Sequence, residues 1–284
     1  MRNTRYALGI LLLLPIFLGG CQKELEFNFP DHAQRLVINS VFNPDSLFTV
    51  DLSISQSAHS NEGHAPVPDA TVRIFQGGRP LFDLRHTGNG RYGADRKPQA
   101  LQQYEVRASA PDFPSASATS HVPAAPIIRE VEAFRAAARD GWGARVDLSF
   151  VLEDAPDQDN FYYLQAYTPD TIYHRNIVFN RPVWPKFVSP IEAEFSMETG
   201  YFFSNKLFNG QSVRLQLLVD IHPERTTYVR VAHITKEYYN YVRVLVKQNY
   251  ADSFGIIHTP VPNNIQNGFG LFAGYNAVTF VVKP

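Results

Sequence analysis

Phe48-Thr49-Val50-Asp51-Leu52-Ser53-Ile54 places Val50, Leu52 and Ile54 on one face and polar residues on the other. A period of two is the mark of a half-buried strand, because successive side chains of a strand point to opposite faces. The same alternation runs through Val67 to Phe75, Tyr104 to Ala108 and Ala144 to Leu152. Leu36-Val37-Ile38-Asn39-Ser40-Val41-Phe42 is a short apolar run. Phe161 to Tyr167, Val213 to Val219, Tyr228 to Ala232 and Val278 to Val282 read as further strands. Asn43-Pro44-Asp45, Gly77-Gly78 and Gly88-Asn89-Gly90 are turn signals between them. Short strands at this spacing indicate a sandwich, and the absence of strand–helix alternation argues against a Rossmann or TIM architecture.

The expectation is therefore a mainly β fold in two parts. Residues 30–123 read as an immunoglobulin-like or transthyretin-like β-sandwich. Pro111, Pro114, Pro123 and Pro126 suggest a linker, and residues 124–284 read as a second β-rich domain. One segment there breaks the β pattern. In Thr235 to Gln248 the apolar residues at 238, 242, 245 and 246 follow helical spacing, and Thr235 suits an N-cap. This predicts one amphipathic helix over 235–248, packed on the second sandwich.

Composition narrows the function classes. The 284 residues carry 26 Lys+Arg against 27 Asp+Glu, a net charge of -1, which argues against nucleic acid as a partner. Hydrophobic residues at 44% suffice for a real core, while 20 Pro and 17 Gly preclude long helices as the main element. A single cysteine excludes a disulfide framework and a cysteine-cluster metal site.

That cysteine stands at a telling place. Arg2 and Arg5 precede an apolar run from Tyr6 to Leu18, which reads as a secretory signal. The run holds about a dozen apolar residues, too few for a bilayer core of roughly 30 Å. It ends in Leu18-Gly19-Gly20-Cys21, which resembles a bacterial lipobox. Small residues let a peptidase approach the backbone, and the Cys21 thiol is the nucleophile that takes the diacylglycerol. Cleavage frees an α-amine for a further acyl chain, and several chains give stable anchoring. Residues 1–20 are then a lipoprotein signal peptide and 21–29 a lipidated tether. Loss of Arg2 and Arg5 takes the charge to 24 − 27 = −3.

Further motifs resemble one family. Cys21-Gln22-Lys23-Glu24, Leu36-Val37-Ile38-Asn39 and Val67-Pro68-Asp69-Ala70-Thr71-Val72 resemble the opening of a Bacteroidota lipoprotein family catalogued as domain of unknown function 4249. Asp159-Asn160-Phe161-Tyr162-Tyr163 resembles a strand start of that family. Phe202 to Gly210 resembles its "F-S-D-x-x-F-N-G" segment, with Asn205 where Asp is usual. Ile234-Thr235-Lys236-Glu237-Tyr238-Tyr239 resembles its helix start, and Asn264 to Gly274 its "N-I-x-N-G-x-G-x-F-x-G" ending. Physically these motifs read as fold maintenance. Asn209-Gly210 suits a turn with positive φ, and Gly268 and Gly270 suit close backbone approach. The resemblance implies an outer-membrane lipoprotein encoded near TonB-dependent transporters. Lys23, Glu24 and Glu26 look like a surface-export signal, although Leu25 breaks the acidic pair.

Candidate chemistry is sparse. There is no nucleophile elbow, phosphate loop, dinucleotide fingerprint or H-E-x-x-H motif, so neither an enzyme nor a cofactor is expected. His59, Glu62 and His64 share one polar loop and suit zinc or copper, or simply an exposed loop. Asp154, Asp157 and Asp159 cluster beside Asn160 and suit Ca²⁺, or an ordinary acidic turn. Among the many aromatics between 162 and 208, Trp184 lies between prolines, Tyr201 directly precedes the family segment and Phe202 opens it. These three are the candidates for ligand or partner contact, with a core plug as the alternative for Trp184.

The expected function is a non-enzymatic, surface-facing outer-membrane lipoprotein. Its partners are the membrane, through lipid on Cys21, and a TonB-dependent transporter that it serves as accessory or ligand-binding subunit in nutrient uptake. The alternatives are a structural or adhesion-type envelope lipoprotein, and a hydrolase with a dispersed site.

Overall fold

Alternation organises the first half of the chain. In a computed structural model that describes residues 33–56, 64–136, 144–172, 177–183, 186–187, 193–197, 200–221, 225–252 and 260–282, seven strands precede residue 123. They are β1 (Leu36–Phe42), β2 (Thr49–Ile54), β3 (Thr71–Gln76), β4 (Arg79–Gly88), β5 (Arg91–Gly93), β6 (Gln103–Ser109) and β7 (Ala116–His121). Their inward residues form one core that includes Leu36, Ile38, Val50, Leu52, Val72, Ile74 and Val106. The face expected for β2 is the buried one, with Ile54 at its margin.

Two features close this unit. β4 changes partners along its length: Arg79 to Leu84 pair with β3, and Arg85 to Gly88 pair with β5. It thus carries the chain from one sheet of the sandwich to the other. The buried Tyr92 ties down the Val67 to Ala70 stretch: its hydroxyl donates to the Val67 carbonyl at 2.7 Å and accepts from the Ala70 N–H at 2.9 Å. That motif is structural.

The second half is a sandwich with a helix on its outside. Its strands are β8 (Ile127–Ala136), β9 (Ala144–Glu153), β10 (Phe161–Ile172), β11 (Ile177–Val183), β12 (Lys186–Phe187), β13 (Phe195–Met197), β14 (Gly200–Ser204), β15 (Ser212–Ile221), β16 (Thr227–Ile234) and β17 (Phe269–Val282), with helix α1 (Lys236–Asp252) before the last. One sheet runs β12-β15-β9-β8; the other includes β13-β14-β10-β16-β17. Val146, Leu148, Phe150, Leu152, Leu215 and Leu217 of the first meet Tyr162, Leu164, Val229 and Val231 of the second. On the reverse face of the second sheet, Phe161, Ala232 and Ile234 pack against Tyr239, Val242 and Val246 of α1. β10 is therefore buried on both faces, which explains why Phe161 to Tyr167 is apolar apart from Gln165 rather than alternating.

The helix is longer than expected, and its cap differs. Thr235 sits at the N-cap and its carbonyl accepts from the Tyr239 N–H at 3.0 Å. Its hydroxyl is buried without a partner, so the side-chain cap is absent. The buried stripe centres on Tyr239, Val242 and Val246 rather than on Tyr238 and Leu245.

β17 belongs to both halves. Phe269 to Gly274 run parallel to β1, and Tyr275 to Val282 run antiparallel to β16. Ile265 and Phe272 lie in the core of β1–β7. Just before β17, Gln266 bridges Ser117 of β7, so the first sandwich closes on residues from the far end of the chain. The close approach expected of the glycines is present: a Cβ at Gly270, where φ is +113°, would overlap the Ile38 carbonyl oxygen, and one at Gly268 would crowd that of Leu36. Among the described residues no helix is long and apolar enough to cross a membrane.

Candidate functional site

Asp154 is the most heavily engaged of the residues singled out from sequence. It is 8% exposed. Its Oδ1 accepts from Asn160 Nδ2 at 2.8 Å and from the Tyr162 hydroxyl at 2.6 Å. Its Oδ2 accepts from Asn205 Nδ2 at 2.8 Å and from the Gly210 N–H at 2.9 Å. Asn160 and Asn205 reinforce the node, each backbone N–H being held by the other residue's oxygen. Gly210 takes the expected positive φ of 68°. Burial, then the hydrogen bond to Asp154, push the Tyr162 hydroxyl's ionisation far above the ordinary tyrosine range.

This arrangement corrects the calcium reading. The lone pairs that a cation would need are directed at four protein donors, and the carboxylate is compensated without one. Asp159 instead points outward, 4.0 Å from Lys236. Asp157 takes φ +63° in an exposed turn, its N–H donating to Asn209 Oδ1. Among the described residues no three His, Cys, Asp or Glu side chains gather as a metal site. His64 is exposed, while its expected partners His59 and Glu62 lie outside the described residues. Cys21 and Trp184 also lie outside them.

The aromatic candidates divide. Phe202 is buried and stacked between Tyr163, at 4.5 Å, and Phe195, at 5.0 Å. It is a core residue under α1 and is removed from the contact candidates, because the doubly covered sheet leaves that face no solvent. Tyr201 is half-buried and lines a hollow of about 340 Å³ with Glu194, Phe195, Ser196 and Val246. The ionisable group of that hollow is already committed. Glu194 accepts from the Ser204 N–H at 2.9 Å, from the Ser204 hydroxyl and from the Tyr239 hydroxyl. Burial opposes the charge on Glu194, but these donors and nearby Lys206 outweigh it and hold its pKa below 4.5. Glu194 clasps the β13–β14 hairpin to α1, a structural task.

A larger groove has different chemistry. On the outer face of the first sandwich, Thr49 of β2, Gly93 of β5 and Arg85 of β4 stand side by side in register. Gly93 brings no side chain, which leaves a dent in the sheet surface. Beyond it β4 departs to pair with β3, and the split uncovers Phe82 beside the buried Phe48, ring centroids 5.9 Å apart. The groove measures about 650 Å³ and is also lined by Leu47, Asp83, Thr87, Ala94, Asp95 and Arg96. That volume lies within the ~300–1,000 Å³ typical of small-molecule sites.

Its charges are largely unspent. Asp83 is held by two N–H donors of Arg73, which keep its carboxyl below the usual range. Arg96 lies over the Phe82 ring, 5.7 Å from the centroid. Neither the Arg85 nor the Arg96 guanidinium is in an ion pair among the described residues, nor is Asp95. Sequence reasoning missed this groove because its parts come from three strands, one of which, β5, is only three residues long. The legible signal was Gly93-Ala94-Asp95-Arg96, two small residues and two opposite charges directly after a strand.

Comparison with known protein families gives a match. The model of a family described as a domain of unknown function (DUF4249) covers residues 22–280. No curated protein matches the chain.

Proposed function

The chain belongs to the DUF4249 family, a domain of unknown function, and on that premise we propose that it is a non-catalytic lipoprotein of the outer membrane. It is held there by lipid on Cys21 and faces the cell exterior, where it serves a TonB-dependent transporter as accessory or ligand-binding subunit in nutrient uptake. The observation that carries this reading is the leader. A short apolar run behind two arginines ends in Leu18-Gly19-Gly20-Cys21, the only cysteine of the chain. Two further features support it. The groove over Gly93 offers charges that form no ion pair among the described residues, beside an aromatic wall. The polar clusters around Asp154 and Glu194 are consumed in holding strands together, which leaves them no catalytic proton to move.

The test has two stages. Cys21→Ala should shift the protein out of the outer-membrane fraction; retention there refutes lipid anchoring. Extraction of the lipidated protein in mild detergent, followed by mass spectrometry, should recover a TonB-dependent transporter in stoichiometric amount. Recovery of the lipoprotein alone, under conditions that preserve a known membrane complex, refutes the partnership.

A further inference from the structure

The groove over Gly93 has a chemical bias that the proposed role does not specify. Its lining carries two arginines that form no ion pair among the described residues, Arg85 and Arg96, the latter lying over Phe82, against one such carboxylate, Asp95. Asp83 adds no free charge, because Arg73 already compensates it. The local field is therefore positive although the whole chain is slightly acidic. Guanidinium groups recognise carboxylates by paired N–H donors, and a ring contact such as that of Arg96 uses the guanidinium face, not those N–H groups.

The rest of the groove describes the body that carries the anion. The Gly93 peptide lies bare between Thr49 and Arg85, so a flat or chair-shaped ring can rest on the backbone there. Phe82 supplies an apolar wall for one edge of the ring. Thr49 and Thr87 stand at the rim with their Cγ2 methyls nearest the dent, while the Thr87 hydroxyl donates to the Arg91 carbonyl and keeps its lone pairs to accept. We propose that the groove binds a carboxylate carried on a hydroxylated ring, with Arg85 and Arg96 taking the carboxylate and Gly93, Phe82, Thr49 and Thr87 holding the ring. Acidic sugars and phenolic acids share this chemistry. The proposal deepens the ligand-binding part of the functional reading and rests on it only for its biological setting.

Purified protein titrated in a calorimeter tests it. The probes are a galacturonate disaccharide and 4-hydroxybenzoate, each beside its neutral counterpart, galactobiose and 4-hydroxybenzamide. One acid should bind and its neutral counterpart should not; which acid binds separates the two sources. Arg85→Gln, a change at an exposed side chain, should weaken binding about tenfold or more, the loss expected for a charge-assisted hydrogen bond. Gly93→Ala should weaken binding with little change in melting temperature. A Cβ there meets Thr87 Cγ2 at 3.7 Å, the Phe48 oxygen at 3.8 Å and Thr49 Cγ2 at 4.0 Å, all ordinary contacts. Absence of binding by both acids overturns the proposal. So does equal binding of a neutral counterpart, or unchanged affinity in a folded Arg85→Gln protein. These readouts need neither membrane nor transporter, so their failure leaves the fractionation and co-purification results to judge the broader role separately.

Discussion

Asp154→Asn is the sharpest test of the buried node. The substitution keeps size and shape but replaces one acceptor oxygen by an NH₂ group. With the amide oxygen toward Tyr162 and Asn160, the new NH₂ faces two groups that can only donate, Asn205 Nδ2 and the Gly210 N–H. Turned over, it meets the Tyr162 hydroxyl, which can rotate to accept, and Asn160 Nδ2, which cannot. Asn160 and Asn205 cannot turn to compensate, because their amides also donate to the carbonyls of Ala155 and Gln158. The better arrangement thus loses one hydrogen bond outright and removes the charge that strengthens the other three. Hydrogen bonds to charged groups contribute ~1.5–3 kcal/mol each and neutral ones about 1 kcal/mol. Relief from burying a charge offsets part of this. The expected loss is about 2–4 kcal/mol, read as a lower urea midpoint at constant slope in equilibrium unfolding. The parent's midpoint should be the same in millimolar CaCl₂ and in EDTA. A loss under ~1 kcal/mol, or a calcium-dependent midpoint, refutes the assignment of Asp154 as a self-sufficient structural acceptor.

Other outcomes follow from the same geometry. Phe272→Ala should destabilise by about 3–5 kcal/mol in the same assay, although residue 272 lies far in sequence from the core of β1–β7 that it fills. Gly274→Ala should prevent normal folding, visible as loss of dispersed amide signals, because a Cβ there overlaps the His121 carbonyl oxygen. His233 is held below its ordinary pKa of 6.5, chiefly by burial, against the opposing pull of the Ala124 carbonyl and Asp154. The unfolded chain then binds the extra proton more readily, so stability is full above pH 6.5 and falls as pH drops below it. His233→Gln should flatten that part of the profile, whereas the contribution of Glu194 should persist until pH falls through 4.5.

The strands were legible wherever one face meets solvent, as in β2 and β9, because polar and apolar residues then alternate. Where both faces are covered, as in β10, the pattern shows only that the segment is buried. The helix was legible from spacing, and Val242 and Val246 face the core as expected, but Tyr239 rather than Tyr238 completes the stripe. Tyr239 is drawn inward by the hydroxyl contact to Glu194 as well as by packing against Phe161. The Asn160 and Asn205 motifs were visible as patterns, yet their meaning lay in their meeting at Asp154, and sequence spacing alone cannot show which distant segments touch. The groove was illegible for a related reason. A missing side chain at Gly93 matters only because β2 and β4 flank it, and strand neighbours are a property of topology.

The shared strand β17 has a consequence for the order in which the protein is made. β1 leaves the ribosome more than two hundred residues before its parallel partner, Phe269 to Gly274. Until that partner emerges, one long edge of the first sandwich stays open and its core lacks Ile265 and Phe272. Nascent chains therefore cannot complete either half in sequence, and a fragment ending near residue 123 would display an adhesive strand edge. Loop-closure entropy delays such long-range pairing further. Maturation is thus gated by the emergence of β17: the polypeptide remains threadable until that strand zips the two halves together.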